Sequence, residues 1–151
     1  MTSDGKLIAV GRSNNSIEIW VKETWSQLMV IPGNAGAPIR RIHWVELDET
    51  AAKSDQSGNN LLYMESGQPR RLITVGVNGY VIEWSLGDCA IKSKLNVDTA
   101  IWDSRLIGKH LYLAQESGRI LLVKVKKDSF VVLKTFQKAQ ARCLSIDISP
   151  D

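Results

Sequence analysis

The chain has 151 residues, 44% of them hydrophobic and 23% charged, and 19 Lys and Arg against 16 Asp and Glu leave a net charge of +3. That is enough apolar sequence for one folded domain and too much for wholesale disorder, while 11 Gly and 4 Pro are too few for a collagen-like or low-complexity chain. No apolar run approaches the roughly 20 residues of a membrane helix, and Met1-Thr2-Ser3-Asp4-Gly5-Lys6 lacks the hydrophobic stretch of a secretory signal, so an intracellular protein with no membrane partner is expected.

Taken in chain order, the predicted elements are all strands. Period-2 alternation and β-branched clusters recur, and no stretch of about 11 residues carries a capped apolar stripe at helical spacing. The predicted strands are 7–10, 17–20, 28–31, 39–45, 71–75, 80–86, 90–95, 100–106, 110–114, 119–125, 130–136 and 142–148. Turn signals such as Ser13-Asn14-Asn15-Ser16, Asn78-Gly79 and Ser117-Gly118 separate them. Between 39–45 and 71–75, the stretch from Glu46 to Pro69 is rich in Ser, Asp, Asn, Gln and Gly and breaks the alternation; it reads as a surface loop inserted in the fold. Lengthening a turn to this extent costs only about 1.5 kcal/mol of closure entropy. Within it, Leu61-Leu62-Tyr63-Met64 is the one apolar run, either an extra edge strand or collapsed loop core, or a docking segment for another protein.

The strands repeat. Gly79-Tyr80-Val81-Ile82-Glu83-Trp84 aligns with Gly118-Arg119-Ile120-Leu121-Leu122-Val123 at an offset of 118 − 79 = 39, and Asn15-Ser16-Ile17-Glu18-Ile19-Trp20 fits the same frame. Gly and Asn at the head of each repeat supply the positive φ that such a turn demands. The opening strands, from Ile39, Ile101 and Cys143, are spaced 101 − 39 = 62 and 143 − 101 = 42, the first being one period plus the insertion. A period near 40 indicates four-stranded propeller blades. With the strands of a blade lettered a to d from the inside out, the order is b-c-d, a-b-c-d, a-b-c-d and a final a: an all-β, incomplete β-propeller of about three four-stranded blades, expected to be a piece of a larger protein. A small β-domain that dimerises to complete a ring also fits twelve strands. Trp44, Trp84 and Trp102 are expected to be partly exposed at the open blade faces.

Trp closing a strand c, in Ile17-Glu18-Ile19-Trp20 and Glu83-Trp84, resembles the WD-repeat signature, without the Gly-His and turn Asp of standard repeats. In order and register, Leu7 to Ser13 leading into Ile17 to Trp20, Val30-Ile31-Pro32-Gly33, Arg71 to Gly76 with Asn78-Gly79, Ile101-Trp102, and Ala141 to Ser145 resemble the N-terminal propeller of the cirhin family, WD-repeat subunits of the small-subunit processome. The resemblance implies a partial WD-repeat propeller over 1–151, interrupted by the 46–69 loop. It further implies a nucleolar, hence nuclear, scaffold in ribosomal RNA transcription and processing, whose partners are other processome proteins and precursor ribosomal RNA. A generic WD-repeat adaptor, of the ubiquitin-ligase or vesicle-coat type, is the alternative.

Neither reading calls for chemistry. His43 and His110 sit in predicted strands, no nucleophile, zinc-protease or phosphate-loop motif occurs, and Cys89 and Cys143 have no ligand partners at metal spacing, so no catalytic residue, metal, cofactor or small-molecule substrate is expected. The residues for RNA or partner contact are Arg70 and Arg71, flanking the insertion where both would reach solvent, and Lys124, Lys126 and Lys127 near a c–d turn, together with Leu61, Leu62, Tyr63 and Met64. Residues 76–151 hold 11 basic and 8 acidic side chains, whereas 1–75 hold 8 of each, so the whole excess lies in the second half of the chain.

Overall fold

The computed structural model describes residues 1–33, 38–45, 61–64, 69–136 and 139–149. Eleven strands fill three antiparallel sheets, and no helix occurs among the described residues. The first sheet is β1 (Leu7–Gly11), β2 (Ile17–Val21) and β3 (Ser26–Ile31). The second is β4 (Ile39–Val45), β5 (Arg71–Gly76), β6 (Tyr80–Trp84) and β7 (Ile91–Asn96). The third is β8 (Ile101–Ile107), β9 (His110–Gln115), β10 (Ile120–Val125) and β11 (Phe130–Thr135). Each sheet runs in chain order from inner to outer edge, as the predicted b-c-d, a-b-c-d, a-b-c-d order requires.

The repeat frame reappears in the backbone. Asn15, Gly79 and Gly118 have φ of 66°, 76° and 75° at equivalent turns. A Cβ at Gly118 would also lie 2.4 Å from the Ala141 carbonyl oxygen, so conformation and space both demand glycine there. Each sheet has a bulge at the same place on the strand next to its outer edge, between Ile19 and Trp20, Glu83 and Trp84, and Leu122 and Val123. The chain following the sheet then returns to the turn, with Val97 N donating to Gly79 O and Ala139 N to Gly118 O.

Two cores hold the sheets face to face. Leu7, Ile17, Ile19 and Ile31 meet Leu72, Trp84 and Leu86 between the first and second. Ile73, Val75, Val81 and Val97 meet Ile101, Leu111, Leu113, Leu121 and Val123 between the second and third. The middle sheet is covered on both sides, which is why β5 is an almost unbroken buried run.

Two expectations need correction. Residues 142–148 form no strand: they run extended beside β8 but pair with no ladder, since no described strand lies on their outer side. Trp84 is not at an open face, being 6% exposed because the first sheet covers it, and its Nε1–H donates to Thr74 Oγ1 at 2.9 Å. The Trp on an uncovered face is Trp20, half-buried, with Nε1–H on Glu18. Trp44 and Trp102 are half-buried.

Of the 46–69 stretch, 46–60 and 65–68 lie outside the described residues, so a loop over that length rests on the sequence alone. Leu61 and Leu62 pack against the first core, while Tyr63, bridged to Pro69, is exposed and Met64 half-buried.

Candidate interaction surface

Charged and polar side chains collect at three places: along the innermost strands, at the rim where those strands begin, and at the opposite rim.

Along the innermost strands, positions 41, 103 and 145 are equivalent in the repeat and they touch one another. Asp103, buried, accepts from Arg41 Nε on one side and from Ser145 Oγ and Ile146 N on the other, the last two at 3.2 Å. One step on, His43 Nε2 shares a hydrogen bond with Ser104 Oγ at 2.7 Å, and Arg105 Nε donates to Asp147 at 3.0 Å. Burial alone would raise the Asp103 carboxyl, but hydrogen bonds from Arg41, Ile146 and Ser104 outweigh it and bring it to about 2. Burial, with Arg105 and Arg41 nearby, pushes the His43 imidazole down to about 4.

This arrangement makes stability acid-sensitive in two steps. A histidine kept neutral in the fold stabilises fully above the ordinary 6.5, and that contribution is lost as pH falls toward about 4. The Asp103 and Asp4 carboxylates stabilise above the ordinary 3.8, and theirs is lost as pH falls toward about 2. Thermal melts between pH 7 and 2 should show a falling Tm with both arms. In His43→Asn the upper arm should flatten and the lower one persist; an unchanged upper arm would remove His43 from this role.

At the rim where the inner strands begin, the Arg40 guanidinium lies 5.0 Å from the centre of the Trp102 ring. The Trp102 Nε1–H donates to Glu116, whose other oxygen takes Arg142 Nε at 2.8 Å. Arg40 and Arg142 are exposed, so the rim offers two cations around a held indole.

The opposite rim is built on Glu83, fully buried and holding four donors. Arg71 Nε and Nη2 reach its two oxygens at 2.7 and 2.8 Å, Lys92 Nζ at 3.2 Å and Ser93 Oγ at 3.1 Å. Burial would raise the carboxyl, but Arg71 and Lys92 lower it overall. Both cations also cross to the third sheet, Arg71 Nη2 to the Lys126 carbonyl at 2.6 Å and Lys92 Nζ to the Lys127 carbonyl at 3.1 Å.

The residues singled out from sequence therefore divide. Arg70 does not reach solvent: 5% exposed, it bonds Asp4 and gives Nε–H to the Leu61 carbonyl at 2.9 Å, tying the first turn of the chain to the Leu61-Leu62 stretch. Burial would raise Asp4, but Thr2, the Lys6 N–H and Arg70 bring it to about 2. Arg71 is the inter-sheet tether just described, and sequence could not show it because Glu83 is 12 residues away in a strand that read as core. Lys126 and Lys127 are exposed and Lys124 half-exposed, and none of the three ammonium groups has an ion-pair partner among the described residues. The Asp103 chain was missed as well; its signal was a polar residue at one place in each inner strand, 41, 103 and 145. Among the described residues no three His, Cys, Asp or Glu stand together as a metal cage.

No protein-family model matches the chain. It is 29% identical over 146 residues to the U3 small nucleolar RNA-associated protein 4 of Saccharomyces cerevisiae, a match covering 87% of this chain and 18% of that protein. The chain thus spans less than a fifth of that relative's length. Among solved structures, the β-propeller domain of Myceliophteria thermophila Cps50 (Swd1) is similar with a TM-score of 0.61 at 18% identity, covering 88% of this chain and 36% of that one. The three sheets have the fold of three β-propeller blades.

Proposed function

We propose that this chain is a non-catalytic scaffold of the small-subunit processome, acting in ribosomal RNA processing in the nucleolus and binding other processome proteins. Residues 1–151 serve as a propeller segment carrying the 46–69 insertion, in which Tyr63 is exposed and open to a partner. The observation that carries the reading is the similarity to a protein named for its association with U3 small nucleolar RNA, which runs through all three sheets rather than through one repeat. The build is consistent with a scaffold: side chains that could do chemistry, His43, Asp103 and Glu83, are committed to holding blades together, whereas exposed charge is left at the rims. Affinity purification of the tagged protein from cells should enrich U3 RNA, precursor ribosomal RNA and nucleolar proteins. Recovery of ubiquitin-ligase or coat subunits without those RNAs would overturn the reading in favour of a general adaptor.

Precursor RNA is proposed to lie along the rim of Lys124, Lys126 and Lys127. Phosphate contacts release counterions, at about 0.7 per contact on a single strand. Reversing all three lysines to Glu should therefore weaken RNA association and lower the slope of log K against log salt by about 2. An unchanged slope would leave the three as solubility groups.

A further inference from the structure

The innermost strands of the second and third sheets are bulged at the same place. Ile39 faces Gly76 and Arg41 faces Val75, which leaves Arg40 outside the ladder; Ile101 faces Gln115 and Asp103 faces Ala114, which leaves Trp102 outside it. A bulge re-aims the side chain of its extra residue. Here the two extra residues are the two that meet: the Arg40 guanidinium lies 5.0 Å from the centre of the Trp102 ring, and its Nε–H donates to the Trp102 carbonyl at 3.4 Å.

The groups left over form a pattern. Arg41, one residue on, is committed to Asp103, whereas Arg40 has no carboxylate partner among the described residues. With its Nε on the main chain and one face against the indole, Arg40 leaves both Nη groups unengaged among the described residues. Arg142 is anchored in the same manner, through Nε on Glu116, and is likewise exposed. Glu116 also takes the Trp102 Nε1–H, so the ring and the second guanidinium are fixed to one carboxylate before anything binds. Arg40 belongs to the middle sheet, which has a neighbour on each side, so its exposure is a property of the rim and not of an open blade face.

A guanidinium fork with free Nη groups matches a carboxylate through two N–H···O bonds, and a half-buried indole beside it offers apolar area. Arg and Trp are the residue types that dominate the energetics of protein interfaces, and side chains already held in place lose little freedom on binding. A nucleic-acid strand fits this rim less well. Its evenly repeated phosphates call for a row of cations, whereas Glu116 interrupts the two arginines, and the ring face over which a base would stack carries Arg40.

We propose that this rim docks an extended acidic peptide of a partner protein. Two of its carboxylates take the Nη groups of Arg40 and Arg142, and an apolar side chain between them rests against Trp102. This goes beyond the scaffold reading by naming what the partner presents, and it concerns the rim opposite to that of Lys126 and Lys127.

Titrating the protein into a fluorescein-labelled peptide that alternates glutamate and leucine should give saturable anisotropy, and the peptide with glutamine in place of glutamate should bind at least about tenfold more weakly. Arg40→Gln and Arg142→Gln should each weaken binding of the glutamate peptide about tenfold without changing the far-UV spectrum, both side chains being exposed. Arg40→Lys should not restore it, because an ammonium has no fork. Lys126→Gln with Lys127→Gln should leave peptide binding intact and weaken RNA association, and Arg40→Gln should do the reverse, so this proposal and the RNA reading fail separately. No saturable binding by the unaltered protein, equal binding of the two peptides, or unchanged affinity in Arg40→Gln would each overturn the proposal. Displacement of the peptide by oligouridine would overturn it too, by making the rim a nucleic-acid contact.

Discussion

Glu83→Gln is expected to destabilise the fold by about 3–5 kcal/mol, because it leaves Arg71 and Lys92 held against a site that no longer carries their charge. For a domain of this size that is roughly a 10 °C fall in Tm. The carboxylate is wholly buried and accepts four hydrogen bonds, so the amide that replaces it turns one donor pair toward donors already present. Removing both ends of the main pair, in Glu83→Leu with Arg71→Met, should recover most of the loss, since an apolar pair of similar volume avoids the desolvation cost altogether. Lys92 would still have Asp128 at 3.3 Å and a path to water. Urea and thermal melts of the three proteins decide the matter: a Glu83→Gln change below about 1 kcal/mol would mean that the buried carboxylate contributes no more than a surface pair.

The second large effect is expected at Trp84. Trp84→Ala should cost about 3–5 kcal/mol by emptying the core between the first and second sheets, and Trp84→Phe less, chiefly by leaving the Thr74 hydroxyl without its donor. Trp25 provides the contrast. It is 68% exposed at the tip of the β2–β3 hairpin with φ of 51°, a conformation that costs a bulky residue about 1 kcal/mol or more. Trp25→Gly should leave stability unchanged or raise it by about that amount. Equal losses from the two substitutions in chemical denaturation would contradict the packing described for the first core.

The strand order, the three turns at positive φ and the period of 39 were legible in the sequence, because each of these is local in the chain, whereas the burial of Trp84, expected to be partly exposed, was not. Alternation assigns a side chain to one face of its strand but does not say which sheet covers that face. That is why Trp84 and Trp20, in the same place of two repeats, meet opposite fates. Arg70 and Arg71 looked solvated because they border polar sequence, yet their partners, Asp4 and Glu83, come from elsewhere in the fold. The stretch 142–148 has a strand's composition and lacks only a neighbour, which composition cannot supply. Of the candidate contact residues, Lys126 and Lys127 are exposed and Lys124 half-exposed, at the end of β10 and in the turn that follows it.

The tethers that cross from the second sheet to the third end on main-chain carbonyls, at Lys126 and Lys127, and not on side chains. A peptide carbonyl is present whatever residue stands there, so the joint is indifferent to sequence on its receiving side. Substitutions at 126 and 127 can accumulate across generations without loosening the blades, provided the turn keeps its shape. The side chains at those two positions are thereby released from architecture, and mutation can drift them toward whatever charge the rim is selected to display.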